Sequence, residues 1–225
     1  MHIDLSALSK ALSSFPSEWD GKESILAMKE SGYPQWRQME WIGFFFQFLC
    51  ENRLPSVGMN IPGHSYGNTT FDGFMCIDWD FKAHPIHNKN GKEANKLIAN
   101  DLEATVKTVE KYGKTGLIVA VGEASFDNTE TMPFRAWLTN LKGGESAYSL
   151  QNRIRGAKKR LYKTSFSLKH IDIYVLGQDD IKKQGVFQKG MRNSNGNPRR
   201  EKLEIDLDTI APLCQIKWLF CTDGG

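Results

Sequence analysis

No stretch of this 225-residue chain approaches the roughly 18 consecutive apolar residues that a membrane-spanning helix requires, so no membrane partner is expected. The opening "MHIDLSALSKALSS" lacks the order of charged start, apolar middle and cleavage site that marks a secretory leader, and a cytoplasmic location is the expectation. Cysteine is scarce. Cys50, Cys76, Cys214 and Cys221 form no C-x-x-C pair, which argues against a disulfide framework or a zinc knuckle and predicts reduced thiols. His84 and His87 form an H-x-x-H on a turn but have no third ligand at helical spacing, so zinc is not expected there. "PGHSYG" sets His64 beside Ser65 without the G-x-S-x-G elbow, which argues against nucleophilic hydrolase chemistry. Internal repeats, low-complexity tracts and long polar linkers are also missing, and one domain over 1–225 is the expected organisation.

The chain does have 40% apolar residues, 11% of all residues being aromatic, enough for a substantial core without covalent staples. Its net charge of +3 conceals an uneven distribution. Residues 151–202 hold 14 Lys/Arg against 4 Asp/Glu, whereas the remainder holds 15 against 22. A locally basic segment in a nearly neutral protein points to a surface that faces a polyanion; the alternative is an ordinary solvated helix and hairpin.

Periodicity divides the chain into helices and strands. Leu5, Leu8, Leu12 and Phe15 keep helical spacing, and N-terminal helices are expected over 1–32. "YPQWRQMEWIGFFFQFLCENRL" predicts a helix over 33–54 with a stripe of Met39, Ile42, Phe46 and Leu49. Phe44, Phe45 and Phe48 widen that stripe, so the helix should be deeply buried, with Glu40 an isolated charge in its middle. A second helix is expected over 93–112, capped by Gly113, and "GLIVAVGEASF" reads as a strand covered on both sides. "AYSLQNRIRGAKKRLYKT" reads as a basic helix and "HIDIYVLG" as a buried strand. "VFQKGMRNSNGNPRREKLEID" reads as a hairpin around Asn195-Gly196, and "CQIKWLFCT" as a last strand.

The most informative stretch is "FDGFMCIDWDFKAH" (71–84). Phe71, Met75, Ile77, Trp79 and Phe81 occupy odd positions, and Asp72, Asp78, Asp80 and Lys82 even ones, so an extended chain sends one set to a core and the other to the opposite face. Asp80 and Lys82 then lie side by side. Eight residues of straight strand would hold Asp72 about 26 Å from Asp80, at about 3.3 Å per residue. The two acids can meet only if the chain folds back between them, and Gly73 is the permissive residue available. Asp78 lies on Asp80's own face, about 7 Å along the strand.

The order helix, strands ending in "IDWDFKAH", helix, strand over about 33–125, with D-x-K closing an apolar strand, resembles the PD-(D/E)XK nuclease superfamily, and most of all a type II restriction endonuclease. The resemblance implies an α/β fold, a mixed sheet flanked by helices. It also implies a Mg²⁺-dependent, sequence-specific cut in double-stranded DNA by a homodimer inside a prokaryotic cell. Asp80 and Lys82 fill the D-x-K positions, and Asp72, or alternatively Asp78, supplies the second metal-binding carboxylate. Glu40 matches the accessory acid carried on the first helix; its other reading is a salt bridge to Arg37. Glu123, at the end of the second buried strand, is either a further ligand or a strand-end polar residue. The donor set suits Mg²⁺, which takes one or two carboxylates and keeps several waters.

DNA contacts are expected from the basic helix and hairpin, about 145–207. Arg153, Arg155, Lys158, Lys159 and Arg160 fall within two helical turns and would track phosphates. Lys189, Arg192, Asn193, Asn195, Arg199 and Arg200 crowd the hairpin tip, and Arg and Asn are the side chains that read guanine and adenine edges. The hairpin alternatively touches phosphates only. A structure-specific repair or junction nuclease, and a DNA-binding protein in which Asp80 and Lys82 merely pair, are the competing readings.

Overall fold

Carboxylates start three of the helices. Asp4 accepts a hydrogen bond from the Ala7 amide, Asp20 from the Lys22 and Glu23 amides, and Asp101 from the Ala104 amide, each satisfying donors left open in a first helical turn. A computed structural model describes residues 3–62, 71–156, 160–192 and 196–218. In chain order it contains α1 (Leu5–Leu12), β1 (Glu18–Asp20), α2 (Gly21–Glu30), α3 (Trp41–Arg53), β2 (Gly73–Met75), β3 (Ile77–Pro85), β4 (Lys96–Asp101), α4 (Leu102–Tyr112) and β5 (Lys114–Phe126). There follow α5 (Pro133–Leu141), α6 (Ala147–Ile154), β6 (Lys163–Gly177), α7 (Gln178–Lys182), β7 (Gly185–Phe187), β8 (Lys202–Asp206) and β9 (Cys214–Lys217).

The result is a mixed α/β protein. Its main sheet has the order β1-β6-β5-β3-β2, with β9 joining β1 on the outer edge of β6. Among the described residues only β3 and β5 run parallel; α4 lies in the crossover between them, and the other pairs of this sheet are antiparallel. Bulges at Val121/Gly122 and Ser125/Phe126 curl the long β5–β6 ribbon. A second, antiparallel sheet has the order β4-β8-β7.

Two apolar clusters cover the two faces of the main sheet. One joins Trp79, Phe81, Ile118 and Phe166 to Trp19 and to Trp41 and Phe46 of α3. The other packs Leu117, Val119 and Val121 against Leu97, Leu203 and Ile205 of the small sheet. The β5 run is therefore buried on both sides, as its continuous apolar sequence predicts. No helix among the described residues is long and apolar enough to cross a membrane.

Five elements depart from the sequence-based expectation. Within 1–32, expected to be helical, Glu18–Asp20 form the strand β1, held by its pairing with Ser165–Ser167 of β6. The helix over 33–54 divides into a single 3-10 turn, Pro34–Arg37, and α3, because Gln38 is extended and the Trp41 indole turns inward to donate 2.8 Å to the Lys163 carbonyl. Residues 96–101 form a strand, not the start of a helix: Leu97, Ala99 and Asp101 are buried alternately, and the Asp101 carboxylate starts α4. The basic helix ends at Ile154 because Gly156 adopts φ +67°, a left-handed turn that closes the last helical turn. Finally, residues 71–84 are not one strand but a hairpin.

Candidate active site

That hairpin brings the acids together. Met75 pairs with Ile77 and Gly73 with Trp79 across a turn at Cys76, which adopts φ +65°. A non-glycine residue held there costs about 1–3 kcal/mol, a strain retained only where the surroundings impose it. The fold-back lies at Cys76, not at Gly73. Asp72 and Asp80 are each four residues from the turn, so closing it sets them opposite each other.

Asp72 continues the ladder where β2 stops. Its Oδ2 accepts from the Phe81 amide at 2.7 Å, its backbone N–H donates to the Trp79 carbonyl at 2.9 Å, and its Oδ1 accepts from the Gln47 amide of α3 at 2.9 Å. Asp80 is only 5% exposed. Its Oδ1 accepts from Lys82 Nζ at 2.8 Å, while its buried Oδ2 accepts no hydrogen bond. The two carboxyl groups lie within hydrogen-bonding reach of each other. Burial first, and Asp80 second, push the Asp72 carboxyl well above its ordinary value, and Lys82 only partly offsets them. Burial acts to lower the Lys82 pKa, but the Asp80 and Asp72 carboxylates outweigh it and the net shift is upward. Lys82 is therefore a firm cation. A small pocket bordered by Phe71, Ala99, Asn100, Thr105 and Leu117 opens beside Asp80.

Asp78 is engaged elsewhere: its carboxylate accepts from Thr108 of α4 at 2.7 Å, and its carbonyl from Thr115. Glu40 is not brought to the pair. It sits at the start of α3 rather than mid-helix, 60% exposed, in an ion pair of 2.6 Å with Lys163, not with Arg37. Glu123 meets His87 Nδ1 at 3.0 Å, and His84 Nε2 hydrogen-bonds the Ala94 carbonyl, so the two histidines take separate partners. Burial lowers the His84 pKa and keeps its ring neutral.

Two further polar residues of α3, Gln47 and Glu51, reach the site. Gln47 spans from Asp72 to Glu51, donating to Glu51 Oε1 at 2.8 Å. Burial raises the Glu51 pKa to about 7, against the hydrogen bonds from Gln47 and Tyr33. A usable signal was present: Gln47 is the one polar side chain in "WIGFFFQFLC", with Glu51 four residues on, hence one turn away on the same face. An acid with a raised folded pKa binds more protons folded than unfolded, so stability falls as pH rises from about 4.5 to about 7. Glu51→Gln, neutral throughout, is expected to match the wild-type melting temperature at pH 5 and to exceed it at pH 8. The gain should be about 1 kcal/mol once solvent screening of this half-buried group is allowed for. A gap that stays constant between pH 5 and pH 8 would show that Glu51 is ionised in the folded protein throughout.

The basic residues are more dispersed than a single helix would place them. Arg153 pairs with Glu145 at 3.1 Å, Arg155 follows the end of α6, and Arg160 lies in the exposed lead into β6. Lys189, Arg192, Arg199 and Arg200 are exposed on the β7–β8 hairpin, where Arg192 pairs with Pro198. Lys158, Lys159, Asn193 and Asn195, with His64 and Ser65, lie outside the described residues.

Among the described residues, no group of three His, Cys, Asp or Glu surrounds a common point as a closed metal cage would. A two-carboxylate site is nonetheless what Mg²⁺ uses when water and phosphate complete its shell. The unpartnered Asp80 Oδ2, buried against a second carboxylate, fits such an ion. Comparison with protein-family models, with curated proteins and with solved structures returns no match.

Proposed function

We propose that this chain is a Mg²⁺-dependent endonuclease of the restriction type, with a PD-(D/E)XK-like core over α3 to β5, that hydrolyses phosphodiester bonds in double-stranded DNA. The observation that carries the reading is the meeting of Asp72, Asp80 and Lys82 on one face of the β2–β3 hairpin, two acids and a cation drawn together by the turn at Cys76. A purely structural Asp80–Lys82 pair would not need a second acid against it, since opposed like charges destabilise a strand pair.

Asp72 and Asp80 would hold the cation, which supplies charge neutralisation at the scissile phosphate and a water of lowered pKa. Asp72 is kept in place by the Phe81 amide and Gln47, so its orientation does not depend on the ion. Lys82, a cation on the same face, points a donor at the phosphate oxygens and stabilises the negative charge that builds up there. Cutting both strands of a palindrome would require a two-fold homodimer.

Incubation with phage DNA and Mg²⁺, followed by sequencing of the ends, tests the proposal. Breaks at one repeated sequence are expected, lost on chelation, and Lys82→Ala should cut at least about 100-fold more slowly. Intact DNA across divalent ions would refute the nuclease reading, and cutting confined to branched or damaged duplexes would move it to a repair enzyme.

A further inference from the structure

The small sheet carries a feature that phosphate contact alone does not need. Seven large apolar side chains are exposed among the described residues, and three of them, Val186, Phe187 and Met191, fall within six residues of the β7–β8 hairpin. Phe187 is 37% and Met191 50% exposed. Cations outnumber acids beside them: Phe187 lies directly opposite Lys202, Met191 is followed by Arg192, and Lys189 and Arg200 are exposed on the same ribbon, against Glu201 and Glu204. The backbone between them is fixed in an uncommon shape, with Gln188 at φ +65° and Gly190 at φ +69°, and the Met191 carbonyl accepts from the Arg199 amide at 2.8 Å. Apolar tips are thus held outward on a defined turn.

A second copy of this chain would bring like-charged ribbons together. An apolar tip ringed by cations matches instead a ligand that is anionic outside and apolar inside, which is the arrangement of a nucleic-acid duplex: phosphates at its rim and stacked bases within. Position supports this. Leu203, next to Lys202, borders the same pocket as Asp80, so the strand that faces Phe187 also leads into the candidate site.

We infer that Phe187 and Met191 form a wedge that enters a base step of double-stranded DNA and unstacks it, while the surrounding Lys and Arg hold the backbone. This rests on the DNA-directed reading above and adds to it a mode of binding that distorts the duplex. The test uses the full chain on relaxed, closed circular plasmid with a topoisomerase, with Ca²⁺ replacing Mg²⁺. An inserted wedge unwinds DNA and shifts the topoisomer ladder. The wild type at saturation is expected to shift it, and the Phe187→Ala, Met191→Ala double variant to abolish the shift and bind about tenfold more weakly. Leu213→Ala, which trims a side chain 56% exposed outside the ribbon and the basic helix, should leave both unchanged. Plasmid binding without a shift would overturn the wedge and leave the nuclease reading standing. Absence of plasmid binding, together with intact phage DNA, would overturn both. Because these side chains are exposed, their loss is not expected to affect folding, and unchanged thermal unfolding of the double variant checks this.

Discussion

Asp80→Asn is expected to abolish DNA cleavage, by about 1000-fold or more, while leaving the metal-free protein as stable as the wild type or about 1 kcal/mol more so. The loss follows from removing one of two carboxylates that would hold the cation. The gain follows from the geometry. Asn keeps an oxygen for Lys82 and replaces the other carboxylate oxygen with a carboxamide N–H that can donate to Asp72. At pH values where Asp72 ionises, it also removes a buried like-charge contact. The advantage has a pH signature. With its folded pKa raised, wild-type Asp72 favours the protonated state, so wild-type stability declines as pH rises above the ordinary carboxylate range. The variant should therefore gain at high pH and lose its advantage in acid. Mg²⁺ should raise the wild-type melting temperature and leave the variant's unchanged. Melting curves with and without Mg²⁺ at two pH values, beside a plasmid assay, provide the measurement. Full-rate cleavage by the variant would remove Asp80 from the chemistry, and clear destabilisation would show that the carboxylate pair is not strained.

The same small change at two glycines should have opposite effects. Gly116→Ala would place a methyl carbon 2.2 Å from the Trp79 indole, which is fully buried on the adjacent strand. The ring cannot easily retreat, because its N–H donates to the Met75 carbonyl at 3.2 Å and its other neighbours belong to the aromatic core. Overpacking of this kind costs about 3 kcal/mol, or about 6–12 °C in a domain of this size. Displacing Trp79 also displaces Asp80, the next residue, so cleavage should fall with stability. Gly43, inside α3, has open space where its methyl would go, and Gly43→Ala should instead stabilise by about 0.5–1 kcal/mol. Thermal unfolding of the two variants checks both signs. A tolerated Gly116→Ala would mean that β3 and β5 can slide apart, and that the site is less rigidly held than its packing implies.

Parity, continuous apolar runs and capping residues are local properties, and they were legible in the chain itself. The inward set of Ile77, Trp79 and Phe81, the doubly covered β5, the strand in β6 and the hairpin leading into β8 all follow from them. So does the adjacency of Asp80 and Lys82, since residues two apart in a strand share a face. Which residues meet across the chain is a different kind of fact. The turn at Cys76 requires a backbone conformation its residue type disfavours, so only pairing of the flanking strands and burial of their side chains hold it there. Once closed, it selects Asp72 over Asp78 as the neighbour of Asp80, and Thr108 on the crossover helix engages the acid left out. Glu40 and Glu51 lie on nearly the same stripe of α3, but only the docking of that helix sends one to Lys163 at the surface and links the other through Gln47 to the site. Tertiary structure decided these points because a buried carboxylate is tolerable only where a specific partner waits. Partners distant in sequence are set by how whole elements pack, a global balance that no window of residues contains.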